Sequence, residues 1–465
     1  MWAVLAISLA GAVAATSCPG FDPHDYKPES VIRRDVAVIG GGSSGTYTAV
    51  RLHDHGKSVV VVEKEAQLGG HAETYTAPNG YAINLGVVVF TQIQIVKDYF
   101  GRFNITLTGL PQEGSVPTFV DFAAGKKVDF APPLPKAQSE ALAKYREQLN
   151  KYPSLQHGFN MTYPVHPDLL LPFKDFVKKY SLDAMVFTTY LYNQGFAPIL
   201  DLPMLYMFKY LNAGELDSLQ GGFLTTKNHD TGALYRAAAS FLGSSNVLLK
   251  SSPIKMSRSS GKDVCIVVQT PTGKKLIVAK KLVSAIPPTL DALSSYDLST
   301  QEKTLFGQWT SDGYYTGILN NTGLNDTSMF INVQPNKPYG VPHLPGLYTV
   351  RGSPPTGLTQ VYYGSPTVLS IEEVKADIEK SIARLQKDLG VRQAKPEWVL
   401  LKSHAPFNLG VSNEQIKDKF YEKLYALNGK QNTFYNGAAF HTQDSSVLWE
   451  FTEEYLLPIV LASLK

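Results

Sequence analysis

The apolar positions of this chain change period along its length, and the changes mark its elements. Residues 35–39 (DVAVI) form a short, nearly unbroken apolar run; a glycine-rich turn follows at 40–45, and residues 46–55 (TYTAVRLHDH) shift to helical spacing. A β-branched run at 58–62 (SVVVV) then ends on Glu63. Continuous apolar runs bounded by turn residues predict strands buried on both faces, and the 3.6 period between them predicts a helix packed on the sheet. Together they predict one parallel βαβ unit. From 101 to 220 the pattern becomes helical and irregular. Residues 138–151 carry charges spaced for i,i+4 pairs and predict an amphipathic, solvent-facing helix. Residues 182–219 are predicted helical and hold a dense aromatic and Met series that includes Tyr190, Tyr192, Phe196, Tyr206 and Tyr210. Strand patterns return at 263–269, 275–279 and 281–288, and again as TGILN, MFINV, GLYTVRG and TQVYYG, with the turns of an antiparallel sheet. The chain closes on a helical pattern, LWEFTEEYLLPIVLASL.

The first unit carries chemistry. Gly40, Gly42 and Gly45 stand in the GxGxxG order, between a strand and a helix. Gly40 makes the tight turn, Gly42 lets the backbone approach a pyrophosphate, and Gly45 lets the helix pack closely on the sheet. With Ser44 in the same turn, the helix N-terminus offers unpaired N–H groups to phosphates. Glu63, at the carboxyl end of the second strand, can accept both ribose hydroxyls. An acid there, rather than a basic residue, argues against a 2′-phosphate and so against NADP.

Leu68-Gly69-Gly70-His71 follows Glu63 at short distance. This second glycine pair resembles the extended FAD fingerprint of the flavin-containing amine oxidase and phytoene desaturase superfamily. The resemblance implies that Gly69 and Gly70 pass close to the FAD pyrophosphate. His71 stands where the amine oxidases usually have arginine, and a neutral imidazole there donates a hydrogen bond without a fixed charge. The resemblance continues at 246–288, where it implies that the Pro253 and Ile254 backbone lies near the adenine and that Ala285 and Pro287 lie near the dinucleotide. At 434–447 it implies that Gly437 touches the pyrophosphate and that the helix containing Val447 points at the flavin. Asn436-Gly437 departs from the family's usual Gly-Asp.

The implied fold class is α/β: a Rossmann-like FAD-binding domain assembled from 31–100, 225–295 and 425–465, with an α+β substrate domain of amine oxidase type from 101–224 and 296–424. The cofactor implied is noncovalent FAD, because the cysteine that binds flavin covalently in some amine oxidases has no counterpart near the C-terminal segment. The lysine that amine oxidases place near the flavin is also missing, and Thr316 stands in its place. In motif style the chain is most similar to the fungal β-cyclopiazonate dehydrogenase-like proteins. That similarity implies an FAD-dependent oxidoreductase taking hydride from a small, largely apolar molecule of secondary metabolism, with oxidation, desaturation or cyclisation as the outcome. Two alternatives are a redox-neutral FAD-dependent isomerase of a polyunsaturated substrate and a flavin-binding protein without chemistry. Tyr190, Tyr206 and Tyr314 are the candidate substrate residues; no catalytic acid or base is assigned. No second GxGxxG is present for NAD(P)H, so O2 or the substrate itself is the expected acceptor from reduced flavin.

Composition narrows the rest. The length of 465 residues suits two domains, and 22 Phe with 25 Tyr describe an aromatic-rich enzyme. A net charge of +3 with the signs interspersed implies no nucleic-acid partner. Residues 1–16 are apolar, end in small residues and read as a signal peptide. Four Asn-x-Thr sequons, at Asn104, Asn160, Asn320 and Asn325, agree with a secreted or secretory-pathway location and with glycosylation. Two cysteines, Cys18 and Cys265, exclude a multi-bridge framework and a cysteine-rich metal cluster, and no metal or transmembrane segment is expected.

Overall fold

The computed structural model describes residues 21–110, 116–259 and 262–465; the apolar segment 1–16 lies outside them. The predicted βαβ unit is present as strand Val31–Ile39, helix Ser43–Asp54 and strand Val59–Val62. The two strands run parallel, Val36 opposite Val59 and Ile39 opposite Val62. All four residues of Val59–Val62 are buried, as a strand covered on both faces requires. Around this pair a seven-stranded sheet forms in the order Ser252–Ser257, Val264–Thr270, Gly273–Ser284, Val31–Ile39, Val59–Val62, Val247–Leu248. The late strand Thr433–Tyr435 joins it beside Gly273–Ser284. This sheet therefore takes strands from three distant stretches of sequence.

A second, eight-stranded sheet runs Glu397–Ser403, Thr310–Asn320, Leu358–Ser365, Gly346–Ser353, Met329–Asn332, Thr118–Asp121, Lys126–Lys127, with Phe407–Gly410 on the early part of Thr310–Asn320. One face is covered by helix Ile371–Leu389, whose Val374, Ile378, Ile382 and Leu385 recur at helical spacing and pack with Tyr315 and Tyr363. A capping box on Ser370 and Glu373 starts this helix, and left-handed Gly390 ends it. Because side chains alternate along a strand, Tyr314 and Tyr362 point to the opposite face and join the core beneath the helical segment.

Two helical expectations change in detail. The helix predicted at 138–151 begins earlier, at Pro135, and is not purely solvent-facing: Ala141, Leu142, Tyr145 and Leu149 bury one side of it. The region 182–219 is not one continuous helix but short pieces, Val186–Tyr192, Met204–Tyr210 and Ala213–Gly221, with single 3-10 turns between and before them. Gly195 with φ of +94°, together with Pro198 and Pro203, cannot sit inside a helix without breaking it. The C-terminal helical pattern forms as Ser445–Phe451, a π-turn at Thr452–Leu456 and Leu457–Ala462.

Candidate cofactor and active site

The fingerprint turn is shaped by steric exclusion. Gly40 has φ of +98°. A Cβ on Gly45 would lie 2.0 Å from the Gly40 carbonyl oxygen, so the helix can close on the strand end only without a side chain there. Gly42 caps helix Ser43–Asp54 but supplies no side-chain hydrogen bond, which leaves the first-turn N–H groups for a ligand. Gly69 comes alongside as a parallel bridge partner of Gly42, with Gly69 N donating to Gly41 O at 2.8 Å. Both glycine pairs thus line one groove. Glu63 is buried; its Oε2 accepts from Gly41 N at 2.6 Å and its Oε1 from Glu65 N at 2.8 Å. Each oxygen keeps a second lone pair for a ribose hydroxyl.

The middle and last segments converge on the same groove. Ala285 N donates to Ile39 O at 2.8 Å, and a Cβ on Gly45 would lie 3.0 Å from Ala285 Cβ. A Cβ on Gly437 would lie 3.6 Å from Ser44 Oγ and 3.9 Å from Ala285 O. Asn436, where the superfamily usually has another residue, ties the first helix to the last. Its Nδ2 donates to Thr48 Oγ1 at 3.1 Å and to Thr452 Oγ1 at 3.0 Å. Val447 is buried in that last helix, and Trp449 Nε1 donates to Ser43 Oγ at 3.0 Å. Ile254 lies on a β-bulge and projects to solvent; the residue that reaches the Glu63 backbone is Ser251, whose N–H donates to Glu63 O at 2.9 Å. A donor-lined helix N-terminus, a buried carboxylate and two side-chain-free approaches form a set that fits an FAD pyrophosphate and ribose.

Beyond Gly70 the groove meets the second sheet at two histidines. His71 keeps some accessible surface, yet burial pushes its imidazole down to about 4, with Lys64 adding to the effect. Those two properties together describe a side chain lining an internal recess. His404, which follows strand Glu397–Ser403, packs edge-on to His71 at 4.5 Å between ring centroids, and burial, then His71 and Lys402, hold it well below the usual histidine range. Its Nε2 lies 3.0 Å from Thr316 Oγ1. Tyr314 stands 5.7 Å from His404 and 5.2 Å from Phe407, which itself lies 5.8 Å from His71. In the last segment, Asp444 accepts from Ser446 N at 2.8 Å, and burial raises its carboxyl. Glu215 nearby is raised well above the carboxylate range by burial and by Asp444.

The three candidate substrate tyrosines separate. Tyr314 borders the histidine pair. Tyr190 is one ring further out, 5.6 Å from Tyr348, which stands 6.3 Å from Tyr314, and its buried hydroxyl has no hydrogen-bond partner among the described residues. Tyr206 is bound elsewhere: it takes Val411 N at 2.7 Å and Tyr421 Oη at 2.9 Å and donates to Val411 O. Sequence reasoning missed His404 and Glu215. Neither sits in a motif, and His404 meets His71 only because the strand pairing of Thr310–Asn320 with Glu397–Ser403 brings it there. Among the described residues no group of three or more His, Cys, Asp or Glu could hold a metal ion, and no helix is long and apolar enough to cross a membrane.

The family model for an NAD(P)-binding Rossmann-like domain matches residues 38–103. The chain is 40% identical to the FAD-dependent oxidoreductase oblC of Cochliobolus heterostrophus, over 98% of this chain and 97% of that protein. It is 34% identical to the β-cyclopiazonate dehydrogenase of Aspergillus flavus, over 91% of this chain and 92% of that protein. In fold it is similar to a fatty acid isomerase from P. acnes that produces CLA (TM-score 0.74, 18% identity, 91% of this chain and 98% of that one). It is likewise similar to putrescine oxidase (TM-score 0.63, 16% identity, 93% of this chain and 100% of that one). The groove geometry and full-length identity lead to one assignment: this chain belongs to the fungal FAD-dependent oxidoreductases and carries their Rossmann-like, amine-oxidase-type fold.

Proposed function

We propose that the enzyme takes hydride from a C–H bond of a small, largely apolar molecule of secondary metabolism, with O2 as the direct final acceptor. The observation that carries the reading is the aromatic cluster of Tyr314, Phe407 and the two neutral histidines, which His71 joins directly to Gly69-Gly70. Bound FAD supplies the two-electron acceptor, while the chain shapes the recess, excludes water from it and orients the substrate. Direct reoxidation is supported by the absence of a second dinucleotide fingerprint in the sequence. FAD is read as noncovalent, so acid precipitation should release it to the supernatant; flavin in the pellet would refute that. The deciding experiment mixes the enzyme anaerobically with candidate metabolites and follows the flavin absorbance. An oxidase bleaches and recovers in air. Turnover without net bleaching would instead identify an isomerase, and neither response to any metabolite would leave only a flavin carrier.

We further propose passage through the secretory pathway, with cleavage after the apolar N-terminal segment and glycosylation of at least one sequon. Asn104, Asn160, Asn320 and Asn325 are all exposed, and Thr327 Oγ1 donates to Asn325 Oδ1 at 2.8 Å. Cys265 is disulfide-bonded, a state that persists in oxidising compartments. An intact Met1 with no glycosidase-sensitive mass shift would overturn this location.

A further inference from the structure

His404 is held more firmly than a core histidine requires. Its backbone N–H donates to Tyr314 O at 2.8 Å, and its Nε2 lies 3.0 Å from Thr316 Oγ1. Gly86 makes room for it: a Cβ there would lie 3.1 Å from His404 Cε1 and 2.4 Å from His71 O. Thr316 is fully buried, and its hydroxyl has no other hydrogen-bond partner among the described residues. If His404 Nε2 carried the proton, the threonine hydroxyl proton would be left buried and unpaired, at a cost of about 1–3 kcal/mol. The threonine therefore donates to Nε2, and a neutral imidazole that accepts at Nε2 carries its own proton on Nδ1. Burial keeps the ring neutral. Nδ1 has no hydrogen-bond partner among the described residues but, unlike His441 Nδ1, it is not sealed off, so its proton can meet water or a ligand where the threonine's cannot. An N–H donor thus stands unused on a ring packed against His71, the residue that follows the second glycine pair.

We propose that His404 Nδ1–H is the hydrogen-bond donor to the substrate, and that it selects a planar molecule bearing a carbonyl or phenolate oxygen. Thr316 is the positioning residue that fixes the tautomer, and Tyr314 and Phe407 supply the flat walls such a ligand needs. No bond is made or broken at His404; the donor orients the oxygen and polarises the C–H bonds conjugated with it. The proposal rests on the recess being the substrate site, but its test needs no turnover, so a failure of the redox reading is distinguishable.

The test titrates the oxidised, FAD-loaded enzyme with 4-chlorophenol, cyclohex-2-enone and oxygen-free chlorobenzene, reading perturbation of the flavin spectrum. A phenolate stacked on oxidised flavin adds a long-wavelength charge-transfer band, whereas the enone perturbs the spectrum without one, which separates the two oxygen sources. Wild-type enzyme should bind one or both oxygen-bearing probes more tightly than chlorobenzene. His404→Phe should weaken that binding by about tenfold or more without changing the affinity for chlorobenzene, as expected for one lost donor. Thr316→Val should weaken it too, and Thr316→Ser should restore it. If His404→Phe loses flavin, the Thr316 pair, which leaves the ring in place, decides. Equal binding of all three probes by wild-type enzyme, no binding of either oxygen-bearing probe, or binding indifferent to both positions would overturn the proposal.

Discussion

Glu63 has one contact set that the sequence predicts and another that only the structure shows. Its position at the end of a β-branched strand predicts a ribose contact; the structure shows that it accepts from Gly41 N and Glu65 N and so shapes the turn it closes. Hydrogen bonds to a charged acceptor contribute roughly 1.5–3 kcal/mol each. Glu63→Ala should weaken FAD binding by about tenfold or more, measured as flavin retained after dialysis; full retention would remove Glu63 from the site. Asp312 carries no sequence signal of its own. It accepts from Asn408 Nδ2 at 2.7 Å and from Ala197 N at 3.2 Å, yet burial raises its carboxyl from 3.8 to about 7. Between those two values the folded state binds more protons than the unfolded chain, so this group lowers stability as pH rises and levels off above about 7. Asp312→Asn keeps an acceptor and removes the titration. The wild-type Tm should therefore fall relative to that variant from pH 5 to 7 and run parallel above; parallel curves throughout would place the carboxyl in an ordinary environment.

Local patterns located part of the elements, while neighbours decided their faces and breaks. Helix Ile371–Leu389 was not predicted, although its apolar stripe, capping box and terminal glycine all lie within the segment itself. Residues 182–219 kept their helical signal but broke at Gly195, Pro198 and Pro203, where the chain turns to pack against the second sheet. Elements far apart in sequence are fastened by Arg258. Fully buried, it holds Glu302 through two bonds at 2.8 and 3.0 Å, Asp297 at 2.8 Å and Tyr435 Oη at 3.1 Å. These residues join the edge of the first sheet to helix Thr300–Phe306 and to the last strand. Removing one partner of a buried ion pair costs roughly 3–5 kcal/mol because the other charge is left uncompensated. Arg258→Met should accordingly lower thermal stability by many degrees, and a Tm within a degree or two of wild type would show the network to be dispensable.

At the scale of the molecule the cofactor groove belongs to no single stretch of chain. The fingerprint turn, the Ala285 turn and the Gly437 segment meet within a few ångströms of one another, so FAD would bridge parts of the chain separated by most of its length. A ligand bound only by the folded state stabilises it by about 2.7 kcal/mol at one hundred times its Kd. Thermal melts with added FAD should show one transition whose Tm climbs with FAD concentration. A second transition that ignores FAD would mean that the eight-stranded sheet unfolds independently of the groove.

By itself the sequence determined the βαβ unit and the glycine turns, and it located several of the longer strands of both sheets, because these depend on residues close together in the chain: a period, a turn, a forbidden Cβ. It also held the superfamily's three cofactor segments. Only the tertiary structure decided which ring of Tyr314-Tyr315 or Tyr362-Tyr363 faces the recess, since strand register sets the choice and one residue of slip would reverse it. The same pairing brought His404 to Thr316 and His71, and bound Tyr206 to Val411, away from the histidines. Contacts of that kind join residues with no sequence relation to one another. They come into being only when the sheets close.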